Sequence, residues 1–268
     1  MSVTYHNVRT IIAQSTYGKL ETKLILRHVL GLTAAQLIMQ HERVLTAMEW
    51  NDFCLLKQRL LNQEPLHYIL GYREFYSHQF KVTPDTLIPR PETELLVETL
   101  LGLANPGMRL LDLGTGCGCI AISAKLECPE LSVVAVDKDI ATLAVAQDNA
   151  TTLSAGVEFK ISDWYNAIEG VFDIIVSNPP YIAVADSHLA ALSYEPQHAL
   201  TDFNDGLDCL RSIIQGAPNY LATNGWLILE HGYDQALEVQ RLFIASGFVM
   251  VNTLQDYAGL DRVTSGRV

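Results

Sequence analysis

From Val8 to about Leu70, apolar residues recur at intervals of three and four: Leu24, Ile25, Val29 and Leu30, then Leu37, Ile38 and Val44, then Leu55, Leu56, Leu60 and Leu61. That spacing predicts short amphipathic helices with one buried stripe each. Thr33 and Thr46 stand where helix starts are capped, Gly18 and Gly31 where helices stop, and Pro65 opens a last short helix ending near Gly71. A small helical bundle over residues 1–73 is expected.

From Glu74 to Pro91 the pattern shifts to Phe75, Tyr76, Phe80 and Val82 separated by polar residues, followed by Thr83-Pro84-Asp85 and Leu87-Ile88-Pro89. Residues 74–90 therefore read as a β-hairpin linker. Pro91 then opens a helix whose first turn carries Glu92 and Glu94, favoured by the helix dipole. After Gly107, strand-like runs alternate with helical ones: Arg109 to Leu113, Ser132 to Asp137, Val157 to Ser162, Phe172 to Ser177, Trp226 to Glu230, Phe248 to Leu254 and Arg262 to Arg267. Alternation predicts an α/β fold with a Rossmann-like, doubly wound parallel sheet over residues 91–268. The last two strands follow one another too closely for a crossover helix, so they are expected as an antiparallel C-terminal hairpin at one edge.

Composition narrows the classes. With 268 residues, 49% of them apolar, the chain can bury a substantial core, and its longest apolar runs fall far short of a bilayer span. The opening MSVTYHNVRT has no basic start followed by an apolar stretch, so no secretory leader is read there. Five cysteines, with no CxxC pair and no histidine cluster at zinc spacing, fit a reduced, cytoplasmic protein without a bound metal. The net charge of −12 is divided unevenly. Residues 1–75 carry eight Lys/Arg against six Asp/Glu, or +2, and residues 76–268 carry ten against twenty-four, or −14. Such a field repels phosphate, which weighs against direct nucleic-acid binding and suits a basic partner.

The candidate chemistry begins at Leu110-Leu111-Asp112-Leu113-Gly114-Thr115-Gly116-Cys117-Gly118. A glycine-rich turn between a buried strand and a helix lets a ligand lie against main-chain N–H groups; a merely tight turn would use the same glycines. Asp137 closes the next strand, twenty-one residues after Gly116, where a carboxylate can accept from both hydroxyls of a ribose. The competing use of Asp137 is a helix N-cap, which Asp139 could supply instead. At the end of the third strand, Asp163 can accept from an exocyclic amine and Trp164 can pack on a ring face. An adenosine-containing ligand is expected.

The reaction is selected by Asn178-Pro179-Pro180-Tyr181, at the end of the fourth strand. Two prolines stiffen the backbone and remove donors, leaving acceptors. A planar NH₂ group can donate one hydrogen to the Asn178 side chain and the other to the Pro179 carbonyl, with the Tyr181 ring against its flat face. Holding both hydrogens aims the nitrogen at an electrophile. An adenosine site without phosphate-binding cations is best matched by S-adenosylmethionine, whose methyl sits on a sulfonium.

LDLGTGCG, AVD, SDW and SNPPY in this order resemble the class I S-adenosylmethionine-dependent methyltransferases. PLHYILGYREFYSHQFKV, LIPRPETELLVE, SNPPYI, YEP, DGLD and LILEHG are more closely similar to the HemK/PrmC family of protein-(glutamine-N5) methyltransferases. The resemblance runs from about Pro65 to the C-terminus. It implies a helical substrate-docking domain and methylation of the glutamine in the Gly-Gly-Gln loop of class 1 peptide chain release factors, by a chain expected to be monomeric. It carries the cofactor loop onto Gly114, Thr115, Gly116, Cys117 and Gly118, the ribose acid onto Asp137, the adenine neighbour onto Trp164, and the glutamine clamp onto Asn178, Pro179, Pro180 and Tyr181, with Asn178 also beside the cofactor. Arg90 and Glu92 fall near the expected mouth.

The alternative reading is an adenine-N6 methyltransferase acting on DNA or RNA, whose target is also a planar NH₂; the acidic charge opposes it. A non-catalytic cofactor-binding scaffold would not need NPPY, and a nicotinamide dehydrogenase would need a different glycine spacing. His231 reads as a hydrogen-bonded structural histidine, and Glu195 as an acid that orders a lid or meets a basic substrate loop, or as a solvated loop acid.

Overall fold

The computed structural model describes residues 6–268; Met1–Tyr5, half of the stretch read for a leader, lie outside them. The chain divides into two compact units, Met1–Gly71 and Tyr72–Val268.

The first unit carries helices α1 (Val8–Ala13), α2 (Lys19–Leu30), α3 (Ala34–Met39), α4 (Ala47–Leu61) and α5 (Leu66–Leu70). Three of them are six residues or shorter, too short to persist alone, so their shared core holds them: Val8, Ile11, Ile25, Leu26, Leu37, Leu45 and Phe53. Thr33 and Thr46 each complete a capping box, with Gln36 and Glu49. Gly31 ends α2 in the left-handed conformation, and Gly71 does the same for α5. Gly18 departs from expectation. It precedes α2 as its N-cap at φ +120°, and the Thr22 hydroxyl donates to its carbonyl, whereas α1 has already ended at Ala13.

The second unit opens on a hairpin, β1 (Tyr72–Phe75) and β2 (His78–Lys81), whose turn residues Tyr76 and Ser77 both take positive φ. Paired positive φ is the twist that matches a two-residue hairpin. The hairpin starts two residues before Glu74, and residues 82–90 run on as a loop without strand. After a 3₁₀ turn at Pro91–Thr93 come α6 (Glu94–Leu103), β3 (Arg109–Leu113), α7 (Cys119–Glu127), β4 (Ser132–Asp137), α8 (Ile140–Thr152), β5 (Val157–Ile161), β6 (Phe172–Ser177), α9 (Asp208–Gly216), β7 (Leu221–Glu230), α10 (Ala236–Ala245), β8 (Val249–Gln255) and β9 (Asp261–Arg267).

Strand order is β5-β4-β3-β6-β7-β9-β8. β3 to β7 are parallel, β9 returns antiparallel beside β7, and β8 closes the edge antiparallel to β9. The expected C-terminal hairpin is present. β7 begins five residues before Trp226, because a register shift against Phe172 and Ile174 and a positive φ at Asn224 admit an irregular start. No helix separates β5 from β6. The order reverses at β3, so the carboxyl ends of β3 and β6 flank a crevice where open α/β sheets take ligands. Leu111, Leu113, Ile175, Leu227 and Leu229 are buried beneath that edge, together with Phe172 and Phe243. A rigid, dry base results, on which short loops hold position. Among the described residues, no helix is long and apolar enough to cross a membrane.

Candidate active site

Three left-handed glycines shape the turn after β3: Gly114 at φ +70°, Gly116 at +59° and Gly118 at +85°. They serve different ends. A side chain on Gly116 would meet only open space, and one on Gly114 would come within 3.4 Å of the Trp164 ring. A side chain on Gly118 would lie 2.8 Å from Ile122 and 3.3 Å from Ala146. Gly118 is thus buried where α7 packs against α8, which gives it a packing role, and it is not among the residues lining the cavity.

The turn is braced from below. The Thr115 hydroxyl donates to Asp112 Oδ2 at 2.7 Å, and the Thr115 N–H donates to the Val136 carbonyl. Asp112 is fully buried, its Oδ1 has no hydrogen-bond partner among the described residues, and desolvation raises its pKa to about 7. Asn149 on α8 donates to the Cys117 carbonyl at 2.9 Å and to the Lys81 carbonyl at 3.0 Å, and accepts from the Lys81 N–H at 2.7 Å. One buried amide therefore fastens the glycine turn to β2.

Asp137 stands at the carboxyl end of β4. Its Oδ2 accepts from the Gly116 N–H and its Oδ1 from the Asp139 N–H, both at 3.1 Å. Burial raises its pKa, opposed by those two N–H groups and by His198. The N-cap of α8 is Asp139, which accepts from Ala141 and Thr142, so Asp137 is free of that duty.

A cavity with about 870 Å³ of empty space, its mouth included, is lined by Gly114, Thr115, Gly116, Cys117, Asp137, Asp163, Trp164, Asn178 and Pro180. These nine expected residues converge from four strand ends. Pro179 is buried and Tyr181 half-buried, and neither is among the residues that line the cavity. The Tyr181 hydroxyl instead donates to Glu230 Oε1 at 3.1 Å, and burial pushes its pKa up. Asn178 Nδ2 donates to the Thr93 hydroxyl at 3.2 Å.

The other wall comes from Asp85, Thr86, Leu87, Pro89, Arg90 and Thr93, with Lys138, Thr142, His198 and Ala199. Sequence reasoning placed only Arg90 here. The Thr142 hydroxyl donates to the Asp85 carbonyl at 2.7 Å and seats this loop on α8. Glu195 is buried, accepts from the Ile88 N–H at 3.1 Å and pairs with Arg90, so the YEP and LIPR segments are tied together across the cavity mouth. It is not a solvated loop acid. His231 has no access to the cavity. Its Nδ1 donates to the Gly232 carbonyl and its Nε2 faces Thr264 at 2.8 Å, the structural role expected of it.

Asp202, Asp205 and Asp208 bring three carboxylates together in the following loop, but Arg211, Asn204 and backbone N–H groups already occupy their oxygens. Gly206 within that loop has a definite cause. At φ +83°, a side chain there would lie 2.4 Å from the Tyr181 carbonyl oxygen. Gln235 completes the brace by donating to the Tyr181 and Gly206 carbonyls.

Residues 11–71 match the PrmC N-terminal domain, and residues 91–202 match the methyltransferase small domain. A release factor glutamine methyltransferase of Neisseria gonorrhoeae is 46% identical over 258 residues, covering 94% of each chain. One of Bordetella pertussis is 44% identical over 267 residues, covering 97% of this chain and 98% of its own. Among solved structures, the Thermus thermophilus 16S rRNA N2 G1207 methyltransferase, in complex with AdoMet and guanosine, superposes with a TM-score of 0.57 at 21% identity. That likeness, over 73% of this chain and 49% of the other, concerns the fold alone.

Proposed function

Since the chain belongs to the release factor glutamine methyltransferase family, we propose how the site performs that reaction: transfer of a methyl group from S-adenosylmethionine to the side-chain amide nitrogen of the glutamine in the Gly-Gly-Gln loop of class 1 release factors. The residues present fit the cofactor. Asp137 offers a half-buried carboxylate at a strand end, Gly116 leaves open space, and the Trp164 ring lies over Gly114. Asp137 would hold the ribose hydroxyls, Asp163 and Trp164 the adenine, and Gly114, Thr115, Gly116 and Cys117 the length of the ligand. S-adenosylmethionine supplies, when bound, a methyl group on a positively charged sulfur. That Asn178 borders the same cavity supports its reading as part of an acceptor clamp beside that ligand.

The observation that carries this reading is the meeting of the Asn178-Pro179-Pro180-Tyr181 segment with the glycine turn and Asp137 around one cavity. An amide nitrogen is a weak nucleophile because its lone pair is delocalised. Asn178 and the Pro179 carbonyl accept its two hydrogens and fix its direction, which is a matter of positioning rather than of a strong base. Pro180 walls the approach and Tyr181 stiffens the segment from behind. The Arg90–Glu195 pair keeps the mouth in shape.

The helical unit would dock the release factor, and the chain would work in the cytoplasm as a monomer. Its acidic catalytic part disfavours nucleic acid as a substrate. Incubation with methyl-labelled S-adenosylmethionine and either release factor or nucleic acid tests the assignment. Label is expected on the glutamine side chain; label confined to adenine would overturn the choice of substrate.

A further inference from the structure

We propose that a groove on the helical unit, apolar along its floor and basic along one rim, docks an acidic segment of the acceptor protein that carries one apolar face. The inference rests on the reading above, in which the helical unit holds the release factor, and names the surface and the chemistry of what it takes.

The groove lies among α1, α2 and α3 and holds about 1240 Å³ of empty space, its mouth included. Its floor includes Val8 and Leu37, both buried in the core of the unit. Two large side chains of its walls stand in water, Leu20 of α2 at 66% exposure and Ile38 of α3 at 74%. Neither belongs to that core. One exposed leucine is ordinary on a protein surface, but two such side chains lining one groove with an apolar floor mark a place where another surface settles.

Charge decides which kind of surface. Lys19, Lys23 and Arg27 follow one another at intervals of four along α2, so they form a row beside Leu20 and Leu24 on the same wall. Like charges at that spacing repel one another and weaken their own helix. The one acid in α2 does not answer them, because the Glu21 carboxylate lies back against Gly18. The ion pairs of the unit form elsewhere: Arg9 and His41 with Glu42 at the α1 and α3 side of the groove, Arg43 with Glu49, and Arg59 with Glu64. Arg27 Nε is buried without a hydrogen-bond partner among the described residues, and no Asp or Glu lines the groove.

A row of cations beside an apolar trough fits carboxylates flanking an apolar stripe, the pattern of an amphipathic helix seated in a groove. Nucleic acid would match the rim and not the floor, since it brings no apolar side chain to cover Leu20 and Ile38. The catalytic unit has the opposite bias, with ten Lys/Arg against twenty-four Asp/Glu over residues 76–268. An acceptor held by both units is therefore basic where its glutamine enters and acidic where it meets α2.

The test uses the full chain, S-adenosylmethionine and a release factor. The double variant Lys19→Glu, Lys23→Glu and the single variant Ile38→Asp should each raise KM for the release factor about tenfold or more, while kcat at saturation and the dissociation constant for S-adenosylmethionine stay within about twofold. Lys19→Arg, Lys23→Arg, which keeps the charge, should behave as the wild type. The wild-type KM should climb between about 50 and about 300 mM salt, and the KM of the glutamate variant much less. Unchanged KM in the glutamate variant and in Ile38→Asp would overturn the docking surface. So would a wild type that sediments as a dimer and comes apart in Ile38→Asp, since the groove would then hold a second copy. An RNA oligomer that binds the wild type and not the glutamate variant, and that displaces the release factor, would also overturn it. These outcomes leave the reaction itself standing. A wild type that neither binds nor labels the release factor would instead sink the reaction assigned above, and this surface with it.

Discussion

At the residue scale, the site depends on few side chains with separable duties. With Asn178 assigned to the acceptor in the proposed reaction, Asn178→Ala should lower turnover about tenfold or more with little loss of cofactor affinity, measured by steady-state kinetics beside calorimetric titration. Asp137 lines the cavity proposed for the cofactor and also holds the Gly116 N–H. Asp137→Ala should therefore weaken S-adenosylmethionine binding by about tenfold or more in the same titration. Both residues stand out in the sequence because Asp137 ends, and Asn178 directly follows, a strand of unmistakable pattern. Thr93 and Glu230 were not, since nothing local distinguishes a hydroxyl at the start of a helix, or an acid at a strand end, from a solvated one.

At the scale of elements, the catalytic segment is rigid because neighbours hold its backbone as well as its side chains. Gly206 passes so close to the Tyr181 carbonyl that any side chain must push the two segments apart. Gly206→Ala is expected to cost about 1–3 kcal/mol in urea unfolding and to lower kcat, because its φ of +83° is strained for alanine as well. The Arg90–Glu195 tie is the counterpart at the mouth. Glu195→Ala should cost about 2 kcal/mol, below the range for a fully buried pair because Arg90 keeps a third of its side chain in water. Limited proteolysis should then find residues 186–194 more readily cut than in the wild type. Helix and strand existence could be read from periodicity, and most strands kept their expected bounds within a residue or two. Gly18 was misjudged because a glycine punctuates a helix start as readily as a stop, and only the hydrogen bond from Thr22 decides which.

Over the whole molecule, two buried acids give stability an unusual pH dependence. Asp112 and Glu230 both have pKa values raised to about 7 by desolvation, above the 3.8 and 4.5 of free groups. The folded chain therefore holds protons that the unfolded chain has released, and their contribution falls as pH rises from about 4 to about 7, then levels off. Denaturant unfolding at about pH 5 and about pH 8 should show this decline in the wild type, reduced in an Asp112→Asn, Glu230→Gln double variant whose neutral side chains do not titrate. The division into two units makes another prediction. The cavity is lined entirely by residues 85–199, so a chain beginning at Tyr72 should still bind S-adenosylmethionine while methylating release factor poorly, as titration and label transfer would show.

Sequence alone determined the order of elements, the helical start, the antiparallel end of the sheet, and three stretches that border the cavity: the glycine turn, Asp137 and NPPY. Each is written in adjacent residues, where steric rules and periodicity act directly. Tertiary structure decided what those stretches meet. Asn178 finds Thr93 across 85 positions, Glu195 reaches Ile88 across 107, and Tyr181 meets Glu230 across 49. Of the residues grouped by their motifs with the ligand contacts, Gly118 packs where α7 meets α8 and the Tyr181 hydroxyl meets Glu230. Partners so far apart are chosen by which faces the packed core leaves toward one another, and a free energy of packing summed over many side chains is not encoded in any one motif.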